Sequence, residues 1–316
     1  MNTLATVLTH LAQQPVCKNT GLKTAYEHLH QTYQHHRQGY SQPPTVDARA
    51  YALMRMPATH AIIQRVLQEY VTLGGNVPSQ VTDWGTGTGA ALWVMHELGW
   101  QTQITAIEHM PHMLEMAKTL AALHPDANFS KNILWHCDHN IVPADLVMMS
   151  YMLSEQPDQQ WQQTLNQAWS ATGDTLIVIE PGTPAAFDRL RAARLALINS
   201  GATIIAPCGH NNLCPMAAHD WCHFSERLPR LPWQRHAKQA SLNYEDEAFC
   251  YLIAQRQAAM PLQSSRLVRP PQHHTGHINL DVCTPEGLRR HVMSKKRSNS
   301  LYREAKKARW GQIFKP

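Results

Sequence analysis

The stretch VTDWGTGTGAALW, residues 81–93, decides the fold. Its first residues are β-branched and apolar and read as a strand. Its last residues are helix formers. Between them Gly85, Gly87 and Gly89 alternate with threonines. Glycines at such spacing let the chain turn sharply after a strand, with no Cβ between backbone and ligand. The helix that follows offers unpaired N–H groups at its start.

Downstream, strand and helix patterns alternate. ITAIEH (104–109), NILWHCD (132–138), ADLVMMSYML (144–153) and DTLIVIEPG (174–182) read as strands. AALWVMHELG (90–99), HMLEMAKTLAALH (112–124), WQQTLNQAWSA (161–171) and FDRLRAARLALINSG (187–201) read as helices. This alternation predicts an α/β fold with a parallel sheet covered on both faces. Upstream, residues 1–75 read as helical. A break is expected near Arg55–Thr59, where Pro57 interrupts the pattern, and a stop at Gly74–Gly75. After residue 205 the alternation ends. NYEDEAFCYLIAQRQ (243–257) and RLVRPPQHHTGHINLDVCTPEGLRRHVMS (266–294) suggest antiparallel strands separated by Pro-Pro and Pro-Glu-Gly turns. Three parts follow: an N-terminal helical region (1–78), a Rossmann-like domain (79–205) and a smaller β-containing, cysteine-rich basic part (206–316).

The acids around the glycine loop suggest its ligand. Asp83, before the first glycine, can hold an ammonium group. Thr86 lies inside the loop. Glu108, after the second strand, is placed for ribose hydroxyls, and Asp138, after the third, for an adenine. A distal acid is shared with dinucleotide folds. The GxGxG spacing and the acid ahead of it resemble motif I of class I S-adenosylmethionine-dependent methyltransferases. That resemblance implies S-adenosylmethionine bound by Asp83, Gly85, Thr86, Gly87, Gly89, Glu108 and Asp138. Many base N-methyltransferases carry an Asn/Asp-Pro-Pro-aromatic grip after the fourth strand. Here that place reads MMSYMLSEQPD (148–158), with Ser150 and Tyr151. No Pro-Cys or Thr-Cys nucleophile follows that strand either. Methyl transfer by positioning alone remains open, and no catalytic residue is assigned.

Seven cysteines are unevenly spread. Cys17, Cys137 and Cys250 stand alone and are expected as small buried apolar groups. Cys208, Cys214 and Cys222 are bunched in PCGHNNLCPMAAHDWCHF (207–224), where metal or cluster ligation suits a reducing compartment better than disulfides. Three thiolates are one short of a four-sulfur site. Cys283, Cys250, His210, His219 and His223 are the options for the fourth. The position of Cys283 at a strand end before the turn TPEG favours it. Spacing alone does not separate zinc from an iron–sulfur cluster.

The stretches RMPATH (55–60), DWGTGTG (83–89), PCGHNNLCP (207–215), DWCHFSERLPR (220–230), YEDEAFCYL (244–252) and WGQIF (310–314), with Cys283 ahead of a basic tail, occur in this order. Together they resemble the methyltransferase-like assembly factors of the mitochondrial small ribosomal subunit and their bacterial relatives, from about residue 50 onward. The resemblance implies a [4Fe–4S] cluster on Cys208, Cys214, Cys222 and Cys283. It would act as a structural staple of the C-terminal part, with zinc as the alternative. It also implies association with the small ribosomal subunit and its 16S-type rRNA. The protein is then expected to be an rRNA methyltransferase, or a non-catalytic assembly factor. A redox-sensing iron–sulfur regulator is a more distant reading.

Charge is segregated. Residues 1–200 carry a net −4 and residues 201–316 a net +9. Between Arg289 and Arg309, nine of 21 residues are Lys or Arg, opposed by Glu304 alone. That balance points to a polyanion, most simply RNA rather than DNA. Arg227 and Arg230 are expected to add to it, and Tyr302 and Trp310 either to stack on bases or to pack inward. No membrane span and no secretory signal are read in the sequence. A bacterial-type cytoplasmic protein is expected, or a mitochondrial one in a eukaryote.

Overall fold

The computed structural model describes residues 3–14, 20–36, 47–257 and 264–314. Cys17 lies outside them. The chain forms two compact units. The first comprises Met1–Gly173 and Glu226–Glu247, the second Asp174–Ser225 and Ala248–Pro316.

The first unit opens with helices α1 (Thr3–Gln13), α2 (Thr20–His36), α3 (Ala48–Met54) and α4 (Met56–Thr72). The Asp47 side chain caps α3 by accepting the N–H groups of Arg49 and Ala50 at 2.9 and 3.1 Å. The break expected near Pro57 falls at Arg55. Pro57 sits in the first turn of α4, where its missing N–H costs nothing. The chain then alternates: β1 (Gln80–Trp84), α5 (Ala90–Glu97), β2 (Gln103–Ile107), α6 (Pro111–Ala122), β3 (Ile133–His136), β4 (Ala144–Ser150) and α7 (Trp161–Ala171). These are the elements the sequence pattern predicts, within a few residues at each end.

The strands β3, β2, β1 and β4 lie side by side in that order and all run parallel. From β1 the chain winds outward through β2 to β3, then returns to place β4 on the other side of β1. The winding reverses between β1 and β4, and such a reversal opens a crevice beyond the carboxyl ends of the strands. Register aligns those ends. Trp84 pairs with Ile107 and with Met149, and Ile107 pairs with His136. Both β1 and β2 are buried after their first residue, as expected of strands covered on both faces.

The second unit begins with β5 (Thr172–Pro181), α8 (Pro184–Asn199) and β6 (Thr203–Ala206). The segment β7 (Phe224–Pro229) and α9 (Pro232–Ala237) leads back to the first unit, where Gln234 is fully buried and its amide donates to the Leu53 carbonyl at 3.0 Å. β8 (Tyr244–Gln255) returns to the second unit and pairs antiparallel with β5 and with β6.

A second sheet follows, built from β9 (Ser265–Leu267), β10 (Gln272–His274), β11 (His277–Thr284), β12 (Gly287–Ser294) and β13 (Ile313–Phe314), with α10 (Asn299–Ala305) before the last strand. Every pairing in it is antiparallel. Alternate residues of β11 point inward. Ile278, Leu280 and Val282 join Leu267 and Ala305 in a small core, with Met293, Tyr302, Ala308 and Phe314 packed against it. Among the described residues no helix is long and apolar enough to cross a membrane.

Candidate functional site

The glycine loop lies in the crevice opened by the reversal at β1 and β4. Gly85, Gly87 and Gly89 adopt φ of 80°, 57° and 87°, left-handed values that a side chain strains to reach. The N–H groups of Gly85 and Thr86 donate to the Ile107 carbonyl at 2.9 Å, which folds the loop over the end of β2. Asp83, Gly85, Thr86, Gly87, Ser150 and Tyr151 line one cavity together with Tyr51, Met56, Thr59 and Ile63 from α3 and α4. Of the predicted residues, Asp83, Gly85, Thr86 and Gly87 line this cavity, and Glu108 is joined to it through the Gly87 backbone N–H.

Asp83 is 2% exposed, and one of its oxygens accepts the Thr86 hydroxyl at 2.6 Å. Burial pushes its pKa up to about 7; the Thr86 bond opposes that rise and the nearby Glu108 charge adds to it. A buried carboxyl poised at neutrality is suited to a cationic ligand, which would draw it into its charged form.

Glu108 is 4% exposed. Its two oxygens accept the N–H groups of Gly87 at 3.0 Å and Met110 at 2.9 Å, and the His109 ring stands 3.1 Å away. Burial works against its ionisation, but the His109 ring and the two amides outweigh burial and hold it below the usual range. Each carboxylate oxygen has further lone-pair capacity for a hydroxyl. Asp138 is exposed. One of its oxygens accepts the backbone N–H groups of Asn140 and His139, which holds its pKa low. The His109 and His139 rings stack at 4.8 Å between the ends of β2 and β3. A cationic amino-acid tail beside Asp83 and a ribose beside Glu108 thus fit the donor set.

Two features escaped the sequence reading. Tyr151 has a left-handed φ of 63° immediately after β4, an unusual conformation for a bulky residue. The buried Ser150 hydroxyl next to it has no hydrogen-bond partner. The sequence MMSYML carries no signal for either.

In the second unit Cys208, Cys214, Cys222 and Cys283 line one cavity of about 40 Å³, together with Cys250, Arg194, Arg266 and apolar side chains. Several contacts hold the bearing loop. Asn211 accepts the Ile204 N–H at 3.0 Å and donates to the Ala202 carbonyl at 3.1 Å. The Asn212 amide donates to the Pro285 carbonyl at 2.9 Å, next to the turn after Cys283. Asp220 pairs with Arg269, and the Trp221 indole donates to the Gly182 carbonyl at 3.0 Å. Gly209 meets Ser264 so closely that an added Cβ would lie 2.2 Å from the Ser264 carbonyl oxygen.

Burial raises the pKa of Cys283 to about 12, with the charges of Cys208 and Cys214 adding to it. Burial likewise raises Cys222 and Cys214, and in each case neighbouring cysteines contribute. Cys214, Cys222 and Cys283 therefore favour the neutral form, and each feels the charge of neighbouring cysteines. Cys250 is different: its thiol donates to the Pro181 carbonyl at 3.3 Å and behaves as a protonated core group. His210 is 3% exposed, and its Nε2 lies 3.7 Å from the Cys283 sulfur.

Among the described residues no three Cys, His, Asp or Glu side chains gather tightly enough to hold a single metal ion. The four cysteines share one cavity wall, and thiolates are soft donors of the kind that hold zinc or an iron–sulfur cluster. The expectation for Cys137 is corrected: it is exposed, because β3 ends at His136 and the chain emerges at the sheet edge.

The basic segment is mixed. Arg290 makes two bonds to Asp281 across the β11–β12 pair, at 2.7 and 2.9 Å. Lys295, Lys296, Arg297, Arg303, Lys306, Lys307 and Arg309 are exposed. Tyr302 packs inward on the small core, and the Trp310 ring stands edge-on to His223 at 5.0 Å, so both follow the inward alternative. Arg227 and Arg230 do not add free positive charge. Arg227 forms a two-bond pair with Asp246, and Arg230 pairs with Glu245.

The family described as mitochondrial small ribosomal subunit Rsm22 matches residues 45–315. The chain is similar to the human mitochondrial ribosome assembly protein METTL17, at 23% identity over 257 residues, covering 75% of this chain and 55% of that protein. It is also 23% identical to the mitochondrial Rsm22-cox11 tandem protein 2 of Schizosaccharomyces pombe, covering 84% of this chain and 42% of that protein. The chain spans about half the length of these curated relatives. Among solved structures, a putative RNA methyltransferase from Pyrococcus horikoshii aligns with a TM-score of 0.42 and 13% identity, over 62% of this chain and 85% of that one. Magnesium protoporphyrin IX methyltransferase from Synechocystis with bound SAM aligns with a TM-score of 0.42 and 13% identity, over 75% of this chain and 97% of that one. By the span of the family match, the chain is a member of the Rsm22 family.

Proposed function

We propose that this protein binds S-adenosylmethionine in the crevice between β1 and β4 and acts on the RNA of a small ribosomal subunit as a methyltransferase. The observation that carries the reading is the buried Asp83, poised near neutrality beside a left-handed glycine cradle at the point where the winding reverses. Asp83 would hold the ammonium group of the ligand's amino-acid tail, Glu108 the ribose hydroxyls and Asp138 the adenine edge. The bound ligand would supply an electrophilic methyl group. The chain's own part is to orient it and exclude water, with Ser150 and Tyr151 forming the wall where an acceptor would lie. The exposed cations from Lys295 to Arg309 would hold RNA phosphates. The relatives named for the small ribosomal subunit and for ribosome assembly support that partner.

The second unit would carry a [4Fe–4S] cluster on Cys208, Cys214, Cys222 and Cys283. The shared cavity of these residues supports it. The cluster would tie the 207–224 loop to β11 and so stabilise the second unit, since metal binding adds directly to folding. A second reading, a non-catalytic assembly factor, draws on the absence of any titratable side chain at Ser150 and Tyr151 able to act as a base near neutrality. The test is incorporation of labelled methyl from S-adenosylmethionine into small-subunit particles. Transfer to rRNA supports the enzyme. Tight donor binding with no transfer, and particles that fail to mature without the protein, supports the assembly factor.

A further inference from the structure

The cysteine cavity contains a charge that the fold leaves unbalanced. Arg194 lies on α8 and is 4% exposed. Its Nη2 donates to the His210 carbonyl, a neutral acceptor, and its Nε has no partner. Among the described residues no carboxylate pairs with it. Its side chain nonetheless lines the same cavity as the four thiols. Burying a guanidinium without a counter-charge is strongly unfavourable, and buried charges in proteins are paired or bound to a charged group. Arg266, 3% exposed and in the same wall, gives its Nε to the Pro207 carbonyl and its Nη1 to the Gly311 carbonyl at 2.7 Å. Arg194 therefore places a fixed positive charge in the wall of this cavity.

We propose that Arg194 is the resident counter-cation of the sulfur centre: its guanidinium balances the charge that four thiolates bring, and it sets how readily the loaded centre takes up an electron. The inference rests on the iron–sulfur reading of the cavity. An oxidised [4Fe–4S] core bears two positive charges, so four thiolates leave the whole centre doubly negative, and one added electron makes it more so. A fixed positive charge beside the centre favours the reduced form. Arg194 touches no substrate in this scheme; it is a positioning residue for the centre's charge.

The test uses the full chain, purified without oxygen, as wild type, Arg194→Met and Arg194→Lys. Iron and sulfide are assayed, folding is checked by circular dichroism, and the absorption near 400 nm is followed during titration with dithionite, which supplies the electron. The expected result is a midpoint potential shifted negative in Arg194→Met, with faster loss of iron, and recovery towards wild type in Arg194→Lys. A folded Arg194→Met protein that takes up no iron, beside an Arg194→Lys protein that does, also supports the proposal. An unchanged potential in iron-loaded Arg194→Met overturns it and leaves the cluster reading standing. So does failure of both variants to load, because charge alone is then not what the site needs. Wild-type protein with zinc and no iron removes the cluster reading itself, and this inference with it.

Discussion

Cys283 stands directly opposite Arg266 in the antiparallel pairing of β11 with β9. Opposed residues of paired strands point to the same face. The face that carries Val282 and Leu267 fills the small core, so the alternate face brings Cys283 and Arg266 to the cysteine cavity. Replacing Cys283 by alanine removes one of four sulfurs while leaving the strand intact. The expected outcome is loss of most iron and sulfide from protein purified without oxygen. Cys250→Ala, whose thiol is already committed to the Pro181 carbonyl, should retain them. Equal losses from the two variants would contradict the assignment of ligands.

Asp83 gives a pH signature. Its folded-state pKa of about 7 lies above its value in an unfolded chain, so the free protein gains protons on folding. Below about pH 4 both states are protonated and the group contributes nothing. As pH rises towards 7 the folded state is penalised, and above 7 the penalty is complete. A bound ammonium group reverses the preference for the proton. S-adenosylmethionine affinity should therefore fall about tenfold for each pH step below 7 and level off above it. Isothermal titration at pH 5.5, 6.5 and 7.5 checks the slope. Asp83→Asn should abolish the pH dependence, weaken binding at pH 7.5 and leave the unliganded protein no less stable.

The legible part of this chain was the part governed by local periodicity. The strands of the parallel sheet and the helices between them follow from apolar runs and alternation, and the break at Arg55 follows from one proline. The glycine loop was legible because only glycine suits three left-handed positions so close together. Tyr151 is the counterexample: its backbone is left-handed just after β4, and nothing in its own identity announces it. The return of residues 226–247 to the first unit was equally invisible, since the order of apolar residues does not encode which core they join. Arg227 and Arg230 were misread for a related reason. Composition counts charges, but only tertiary pairing shows which are already spent on Asp246 and Glu245.

Glu108 is expected to matter for both stability and binding. Glu108→Ala strands the N–H groups of the half-buried Gly87 and Met110, and a donor left without a partner costs up to about 1–3 kcal/mol where water cannot reach it. The variant should unfold at a lower temperature by calorimetry and bind S-adenosylmethionine more weakly. Glu108→Gln keeps an acceptor for one amide, so most of the stability should return while the affinity stays low. Full recovery of affinity in Glu108→Gln would show that the carboxylate charge has no part in holding the ribose.

The basic face separates spent from available charge. Arg290 is engaged by Asp281, whereas Arg303, Lys306 and Lys307 are exposed on and just after α10. Each phosphate contact contributes roughly 0.7–0.9 to the slope of log affinity against log salt. If all three α10 cations meet phosphates, changing them together to glutamine should reduce the slope for a small-subunit rRNA fragment by about 2–3. Arg290→Gln should change it by much less, because its guanidinium must leave Asp281 before it can reach a phosphate. Fluorescence anisotropy across a range of potassium chloride concentrations measures both. A slope unaffected by the triple change would move RNA contact away from α10, and an equal effect from Arg290→Gln would mean that the Asp281 pair opens on binding.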